Sequence, residues 1–128
     1  MAPAAAATIY RHFADLKRDE DYYHLILTGD LGGVGKKLNE DILARKGLAL
    51  INYTDCGIQL YYPHQKVHSG ASGSACCALV FLGKIYKKMM QGELRRVLFV
   101  ATGALHSTTT YQQGESIPAI AHAVSLEI

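Results

Sequence analysis

Apolar residues recur every three or four positions from Ala6 to Leu16, which predicts an amphipathic helix near the start of the chain. The charged segment 17–21 ends this helix. A compact apolar run at 24–28 follows and stops at Gly29, which is typical of a buried strand. The pattern therefore predicts a helix followed directly by a strand of the core.

A second helix is predicted to begin near Val34, because Val34, Leu38 and Ile42 form an apolar stripe at helical spacing. A basic residue and Gly47 mark its end. Residues 48–52 are a candidate for a short strand, and the stretch that follows is expected to be mostly loop.

The longest predicted helix covers residues 74–90, and its first half, 75–82, is apolar almost all the way round. Such a helix is buried on every side. Its second half gains Lys84, Lys87 and Lys88, which mark a solvated helix end or, as the alternative, a face toward anionic lipid. The apolar surface exceeds what the chain can comfortably cover, so we expect a further packing partner.

Two more strands are predicted, a buried one at 97–101 and a half-buried one at 121–128, with the polar loop 102–118 between them. His122 lies on the apolar face of the last strand and is expected in the core. The order of elements predicts an α/β fold with mostly parallel strands and an antiparallel last pair, forming a mixed sheet around a buried central helix.

Composition supports one globular domain, since 49% of the 128 residues are apolar and 19% are charged. The formal charge of +2 predicts no nucleic-acid surface by itself. Three cysteines, two of them adjacent, are typical of a reducing compartment rather than of a disulfide framework. No apolar run approaches the roughly 18 residues of a membrane span, so we expect a cytoplasmic type of soluble protein.

Three loops carry candidate chemistry, each with a plainer alternative. The glycine-rich loop after the first strand offers backbone N–H groups at a helix start, which suits an anion or only a tight turn. Serines before the long helix are either ligand donors or helix caps. The loop after the buried strand at 97–101 lies where α/β sheets bind ligands, or is a plain connection. The predicted ligand-binding residues are Asp30, Gly32, Gly33, Ser72, Ser74, Thr102, Gly103 and Ser107.

Cysteine and histidine residues give weaker signals. Cys56, His64 and His68 match no common zinc spacing, so structural loop histidines are the favoured interpretation. Cys76 and Cys77 lie in the apolar half of a helix, where cysteine behaves as a small hydrophobic residue. No metal, cofactor or catalytic residue is predicted.

Four segments together resemble the stage V sporulation protein AD family of endospore formers. They read LTGDLGGVG at 27–35, DCG at 55–57, VHSGASGSACCA at 67–78 and VATGALHSTTTYQQGESIPAIAHAV at 100–124. The match covers nearly all of the chain and corresponds to the C-terminal part of the family, whose members are about two and a half times longer.

The resemblance implies a thiolase-like fold, with residues 1–128 as a single partial C-terminal domain. The helix from Ser74 would then be one of two central helices and would pack on a counterpart in the other half. In this chain a second copy would cover the helix instead, so the resemblance predicts a homo-oligomer with Ala78 and Phe81 near the contact.

The resemblance also implies a function. The family is implicated in moving dipicolinic acid, as its calcium chelate, during sporulation and germination, together with membrane proteins at the spore inner membrane. Condensing enzymes of this fold use histidine or asparagine where Gly29, Asp30 and Ser72 stand here. We therefore expect a non-catalytic dipicolinate-binding component; the alternative is an acyl-transferring enzyme like thiolases and ketoacyl synthases.

Overall fold

A computed structural model describes residues 1–128, which form six α-helices and four strands. The helices are α1 (Ala2–Leu16), α2 (Gly32–Ala44), α3 (Cys56–Gln59), α4 (Cys76–Val80), α5 (Tyr86–Met90) and α6 (Thr108–Gln112). The strands are β1 (Leu25–Thr28), β2 (Tyr53–Asp55), β3 (Arg96–Ala104) and β4 (Ala119–Glu127). A π-helical segment, Phe81–Ile85, joins α4 to α5, so that residues 76–90 form one continuous helical rod, called here helix 76–90.

All four strands belong to one sheet in the order β2-β1-β3-β4. β1 is parallel to both β2 and β3, whereas β3 and β4 run antiparallel from the Arg96–Glu127 pair to the Ala104–Ala119 pair. The predicted α/β class and the mixed sheet with an antiparallel last pair are confirmed.

Helices cover both faces of the sheet. Because side chains alternate along a strand, Ile26 and Leu98 point toward α1, while Leu27 and Val97 point toward helix 76–90. All four of these side chains are fully buried. The sheet is therefore the middle layer of three, and the ends of its parallel strands lie between the two helical layers.

The predicted apolar stripe of α2 is wrong. Val34 is 73% exposed and Leu38 47% exposed, whereas Gly32, Asn39 and Leu43 form the buried face. The inner face of α2 includes a polar residue, because the Asn39 side chain donates a hydrogen bond to the Tyr53 phenol. A search for apolar residues at helical spacing cannot find such a face. The helix also begins two residues earlier than predicted.

The short strand lies at Tyr53–Asp55 rather than at 48–52. Its register places Tyr53 opposite Ile26 and Asp55 opposite Thr28, so that the strand ends level with β1. α3 follows immediately, within the stretch that was expected to be mostly loop.

Helix 76–90 is buried on one face only. Cys76, Val80 and Ile85 pack toward the sheet, while Leu79 and Leu82 are each 61% exposed. The prediction of burial on every side does not hold within this chain. The helix also begins at Cys76, so neither Ser72 nor Ser74 is its N-cap residue.

The last strand buries the opposite face from the one predicted. Ala121 is buried against α1, where the Thr8 hydroxyl donates to the Ala121 carbonyl at 2.9 Å, whereas His122 is exposed. The core assignment of His122 is therefore wrong, because contact with α1 decides which side of β4 faces inward.

None of the helices has the length and the apolar character that a membrane crossing requires.

Candidate functional site

Three chain segments meet at the carboxyl edge of the sheet, where β1 ends, β3 nears its end and helix 76–90 begins. Asp30 lies at their centre. One carboxylate oxygen of Asp30 accepts from the Ser72 hydroxyl and from the Gly73 N–H, both at 2.9 Å. The other accepts from the Thr102 hydroxyl at 2.8 Å. Asp30 thus ties the three segments into one cluster, called here the Asp30 cluster.

A second carboxylate, Asp55, is fully buried beside this cluster. Its two oxygens accept from the backbone N–H groups of Leu31, Gly32 and Gly57, each at 2.9 Å, and from the Thr28 hydroxyl at 2.6 Å. Four donors compensate for the loss of hydration, and the starts of α2 and α3 favour negative charge. The anion position at the glycine-rich loop is therefore filled by a side chain of the protein itself.

A polar chain leads from Asp55 into the α2 side of the core. Thr28 donates to Asp55, the Tyr53 phenol lies 3.0 Å from the Thr28 hydroxyl, and the Asn39 amide donates to Tyr53 at 3.0 Å. Burial raises the pKa of the Tyr53 phenol far above its ordinary value, so it stays protonated and serves as a donor. This order of donors turns the Asn39 carbonyl oxygen away, and that buried atom has no hydrogen-bond partner.

Two glycines permit the loops to approach one another backbone to backbone. Gly32 has φ +67°, and a Cβ there would lie 2.7 Å from the Ser69 carbonyl oxygen. A Cβ at Gly57 would lie 2.2 Å from the Ala71 carbonyl oxygen. Since both distances are below van der Waals contact, a larger residue at either position would move the loops apart, and Gly32→Val would test the fold rather than ligand contact.

The structure brings some of the predicted site residues together and leaves others apart. Asp30, Ser72 and Thr102 share direct hydrogen bonds, and Gly32 and Gly33 lie next to them but donate to Asp55 and to the Ser69 carbonyl. The remaining three, Ser74, Gly103 and Ser107, make no hydrogen bond to this cluster. Ser107 instead accepts from the Thr110 N–H and caps α6.

Thiols near the cluster are held in their neutral form. Burial raises the pKa of Cys76 to about 11 and raises that of Cys56 further. The nearby carboxylates of Asp30 and Asp55 act in the same direction. Because the thiolate is the nucleophile, neither cysteine is prepared for covalent catalysis at neutral pH.

Sequence reasoning missed Asp55 and Tyr53 as organising residues. Asp55 directly precedes α3 and accepts from the Gly57 N–H, which is an N-cap arrangement. An Asp before a short helix was the available signal, although it could not show that the same carboxylate also reaches α2. Tyr53 gave no signal, since its role depends on the register of β2 against β1.

Comparison with known proteins decides the family. A model of the stage V sporulation protein AD family matches residues 1–127. The chain belongs to that family. The stage V sporulation protein AD of Bacillus subtilis (strain 168) is 52% identical over 128 residues. That alignment covers 99% of this chain and 38% of the relative.

Family membership supports a role in sporulation. The relative carries the name of a sporulation protein and not that of an enzyme. Since the chain spans 38% of the relative's length, what the whole relative binds or assembles with is a matter for proposal.

Proposed function

We propose that this chain belongs to a non-catalytic component of sporulation that binds dipicolinic acid, free or as its calcium chelate, in a transport complex acting in sporulation and germination. The ligand class comes from the family resemblance, and the thiolase-like relationship of the fold is part of the same proposal. The alternative, an acyl-transferring enzyme, needs a nucleophile and a base at the same edge of the sheet.

The hydrogen bonds that Asp30 accepts are the observation that supports a non-catalytic role. By the family resemblance Asp30 stands where condensing enzymes of that fold have a catalytic histidine, and its carboxylate is engaged by Ser72, Gly73 and Thr102. A general base must be free to accept a proton from its substrate. A carboxylate that already holds three donors instead supports a structural tie between loops.

The binding part rests on the position of these loops. Ligands of open α/β sheets bind outside the carboxyl ends of the strands, and Asp30, Thr102 and the start of α2 lie at that edge. Calcium takes six to eight oxygen ligands, so a chelate of calcium with dipicolinate retains open positions. The partly exposed Asp30 carboxylate and the Thr102 hydroxyl are oxygen ligands of the right kind.

The partners and location follow as proposals from the same relationship. We expect the chain to act with membrane proteins of the spore complex and to lie peripherally at the spore inner membrane. Helix 76–90, whose Leu79 and Leu82 are exposed, offers an apolar surface for a protein partner or a second copy.

Two measurements test the proposed function. Isothermal titration of dipicolinate, with and without calcium, into this chain and into the full-length Bacillus subtilis relative is expected to give saturable binding. Incubation of the same proteins with acyl-CoA is expected to release no more free CoA than the buffer blank. Absence of heat in every titration would overturn the binding part, and steady release of CoA would restore the enzymatic alternative.

A further inference from the structure

A groove of about 590 Å³ lies beside the Asp30 cluster, between the start of α2 and residues 58–70. Gly33 lines it from α2, and Tyr61, Tyr62, Lys66 and His68 line it from the segment 58–70. This volume is within the range of small-molecule sites. The groove is also continuous with the candidate site, because Gly33 belongs to both.

Charge in the groove has one sign. The lining contains no aspartate or glutamate, and it contains the Lys66 ammonium and the His68 imidazole. Lys66 makes no ion pair, unlike Lys36, Lys37 and Lys88, which each pair with a carboxylate. An unpaired cation beside aromatic rings is suited to a planar anion, since the ring faces contact the flat surface and the ammonium contacts a carboxylate.

Backbone hydrogen bonds fix residues 69–71 against the starts of α2 and α3, next to the buried Asp55. The Gly33 N–H donates to the Ser69 carbonyl at 2.6 Å, and the Ala71 N–H donates to the Gly57 carbonyl at 2.8 Å. The Tyr62 ring stacks on His64 with centroids 5.6 Å apart and planes 10° apart. Lys66 follows the 3₁₀ turn Pro63–Gln65 with φ +51°, a left-handed conformation that directs the chain back toward Ser69.

We infer that this groove, rather than the Asp30 cluster, is where dipicolinate binds, with its ring against Tyr61 and Tyr62 and one carboxylate on Lys66. This inference rests on the proposed function for the identity of the ligand. The donors of the Asp30 cluster are already engaged by carboxylates of the protein, and a further dianion there would face Asp30 itself. In the groove the Lys66 ammonium makes no ion pair, and only one face of the Tyr62 ring is occupied, by His64.

Calcium dependence separates the two locations. The groove presents the Lys66 ammonium and no carboxylate, so it favours the calcium-free dianion. The Asp30 cluster presents a carboxylate and hydroxyl oxygens, so it would favour the calcium chelate. Binding at the groove is therefore expected to be at least as strong in calcium-free buffer as with calcium.

The test is isothermal titration of sodium dipicolinate into the 128-residue chain, in calcium-free buffer and then with calcium chloride. Lys66→Gln is expected to weaken binding by about fivefold, and Lys66→Arg to retain it. Tyr62→Leu, at a ring that is 71% exposed, is expected to weaken binding by a similar factor without affecting the fold. Lys17→Gln is the matched control, because Lys17 is also a left-handed lysine with φ +51° and lies at the end of α1.

The outcomes distinguish a failure of the groove proposal from a failure of the proposed dipicolinate binding. Weaker binding by Lys66→Gln and Tyr62→Leu, with Lys17→Gln unchanged and no gain of affinity on adding calcium, supports the groove. Normal binding by Lys66→Gln and Tyr62→Leu overturns the groove and leaves the proposed function standing, as does calcium-dependent binding that Asp30→Asn removes. No binding in either buffer overturns the groove together with the proposed function. Circular dichroism of each variant shows that its fold is intact.

Discussion

The two faces of the sheet differ in how much of the helix that covers each face is buried. Under α1 and α2, ten buried residues form one cluster, and α1 contributes Ala5, Ala6, Ile9 and Phe13 to it. Under helix 76–90, seven buried residues form the other cluster. The outer side of α1 mixes charged and small residues with Tyr10 and Leu16, which are 37% and 51% exposed, whereas the outer side of helix 76–90 carries Leu79 and Leu82, each 61% exposed.

This difference shows that a helix apolar all round can still be half exposed in the chain that contains it. α1 has one apolar face and needs one partner layer, which the sheet supplies. Helix 76–90 has two apolar faces, and the sheet covers only one. The buried face of α1 is covered within these residues, and the outer face of helix 76–90 is suited to an additional partner.

The largest expected effect is a difference in unfolding free energy between substitutions on α1 and on helix 76–90. Ile9→Ala, at a fully buried position of α1, is expected to lower the free energy of unfolding by about 2–5 kcal/mol, because it leaves a cavity in the closed cluster. Leu82→Ala, at a position 61% exposed, is expected to change it by less than about 0.5 kcal/mol. Urea denaturation followed by circular dichroism measures both. Equal losses would show that helix 76–90 is packed on both sides.

Sequence patterns predicted the elements that form buried strands and amphipathic helices. α1, β1 and β3 and the parallel order of the sheet follow from apolar periodicity, because those elements bury apolar side chains. α2 did not follow the rule, since its inner face is made of Gly32, Asn39 and Leu43.

The candidate site was predictable in its location but not in its contacts. Glycines and serines after strands indicated the carboxyl edge, and Asp30, Ser72 and Thr102 do meet there. The use of Asp55 as an internal anion depends on a register between β1 and β2 that no local pattern contains. The groove likewise arises only when residues 58–70 fold against α2.

The second expected effect concerns self-association. We expect the chain to form a dimer or larger species through helix 76–90, with Leu79, Leu82 and the exposed Ala78 at the contact. Phe81, which is also predicted near this contact, is partly buried and stacks on Phe99 with ring centroids 4.9 Å apart. Leu82→Glu is expected to weaken association by at least about tenfold, since it places a charge in an apolar contact.

Sedimentation velocity at low micromolar concentration measures this effect. Val34→Glu is the matched control, because Val34 is 73% exposed on α2, on the other side of the sheet. Association of that variant is expected to equal that of the unmodified chain. A single monomer boundary for the unmodified chain would contradict the proposed role of helix 76–90.

A third expected effect tests how β4 is held on the closed face. The Arg18 guanidinium lies 3.2 Å from a Glu127 carboxylate oxygen, donates to the Ser125 hydroxyl at 3.0 Å and stacks 4.2 Å from the Tyr22 ring centroid. Arg18→Met is expected to lower the free energy of unfolding by about 1–2 kcal/mol, since it removes charged hydrogen bonds between the segment that follows α1 and β4.

Arg11→Met, within α1, is the control for this charge removal. Its partner Asp15 lies 3.8 Å away, and both side chains are mostly exposed. The pair is expected to contribute less than about 0.5 kcal/mol. Equal denaturation midpoints for the Arg18 and Arg11 variants would mean that the contacts of Arg18 do not stabilise β4.

The smallest expected effect is a pH dependence on the same closed face. The partly buried His12 ring lies 2.6 Å from the Tyr23 phenol, and burial, followed by the nearby Arg18 charge, lowers the pKa of His12. Because the folded chain favours neutral imidazole, this contribution to stability is present above the ordinary value of 6.5 and is lost as pH falls through the lowered pKa.

Denaturation midpoints from pH 7.5 to 5 are therefore expected to decline less for His12→Gln than for the unmodified chain. Glutamine keeps a side chain that can bond to the Tyr23 phenol but does not titrate in this range. The difference between the two pH profiles is expected to stay below about 1 kcal/mol, since solvent around the partly exposed ring screens the charge. Parallel profiles would show that protonation of His12 is equally easy in the folded and unfolded chain, and that α1 and β4 hold together without a neutral ring at this position.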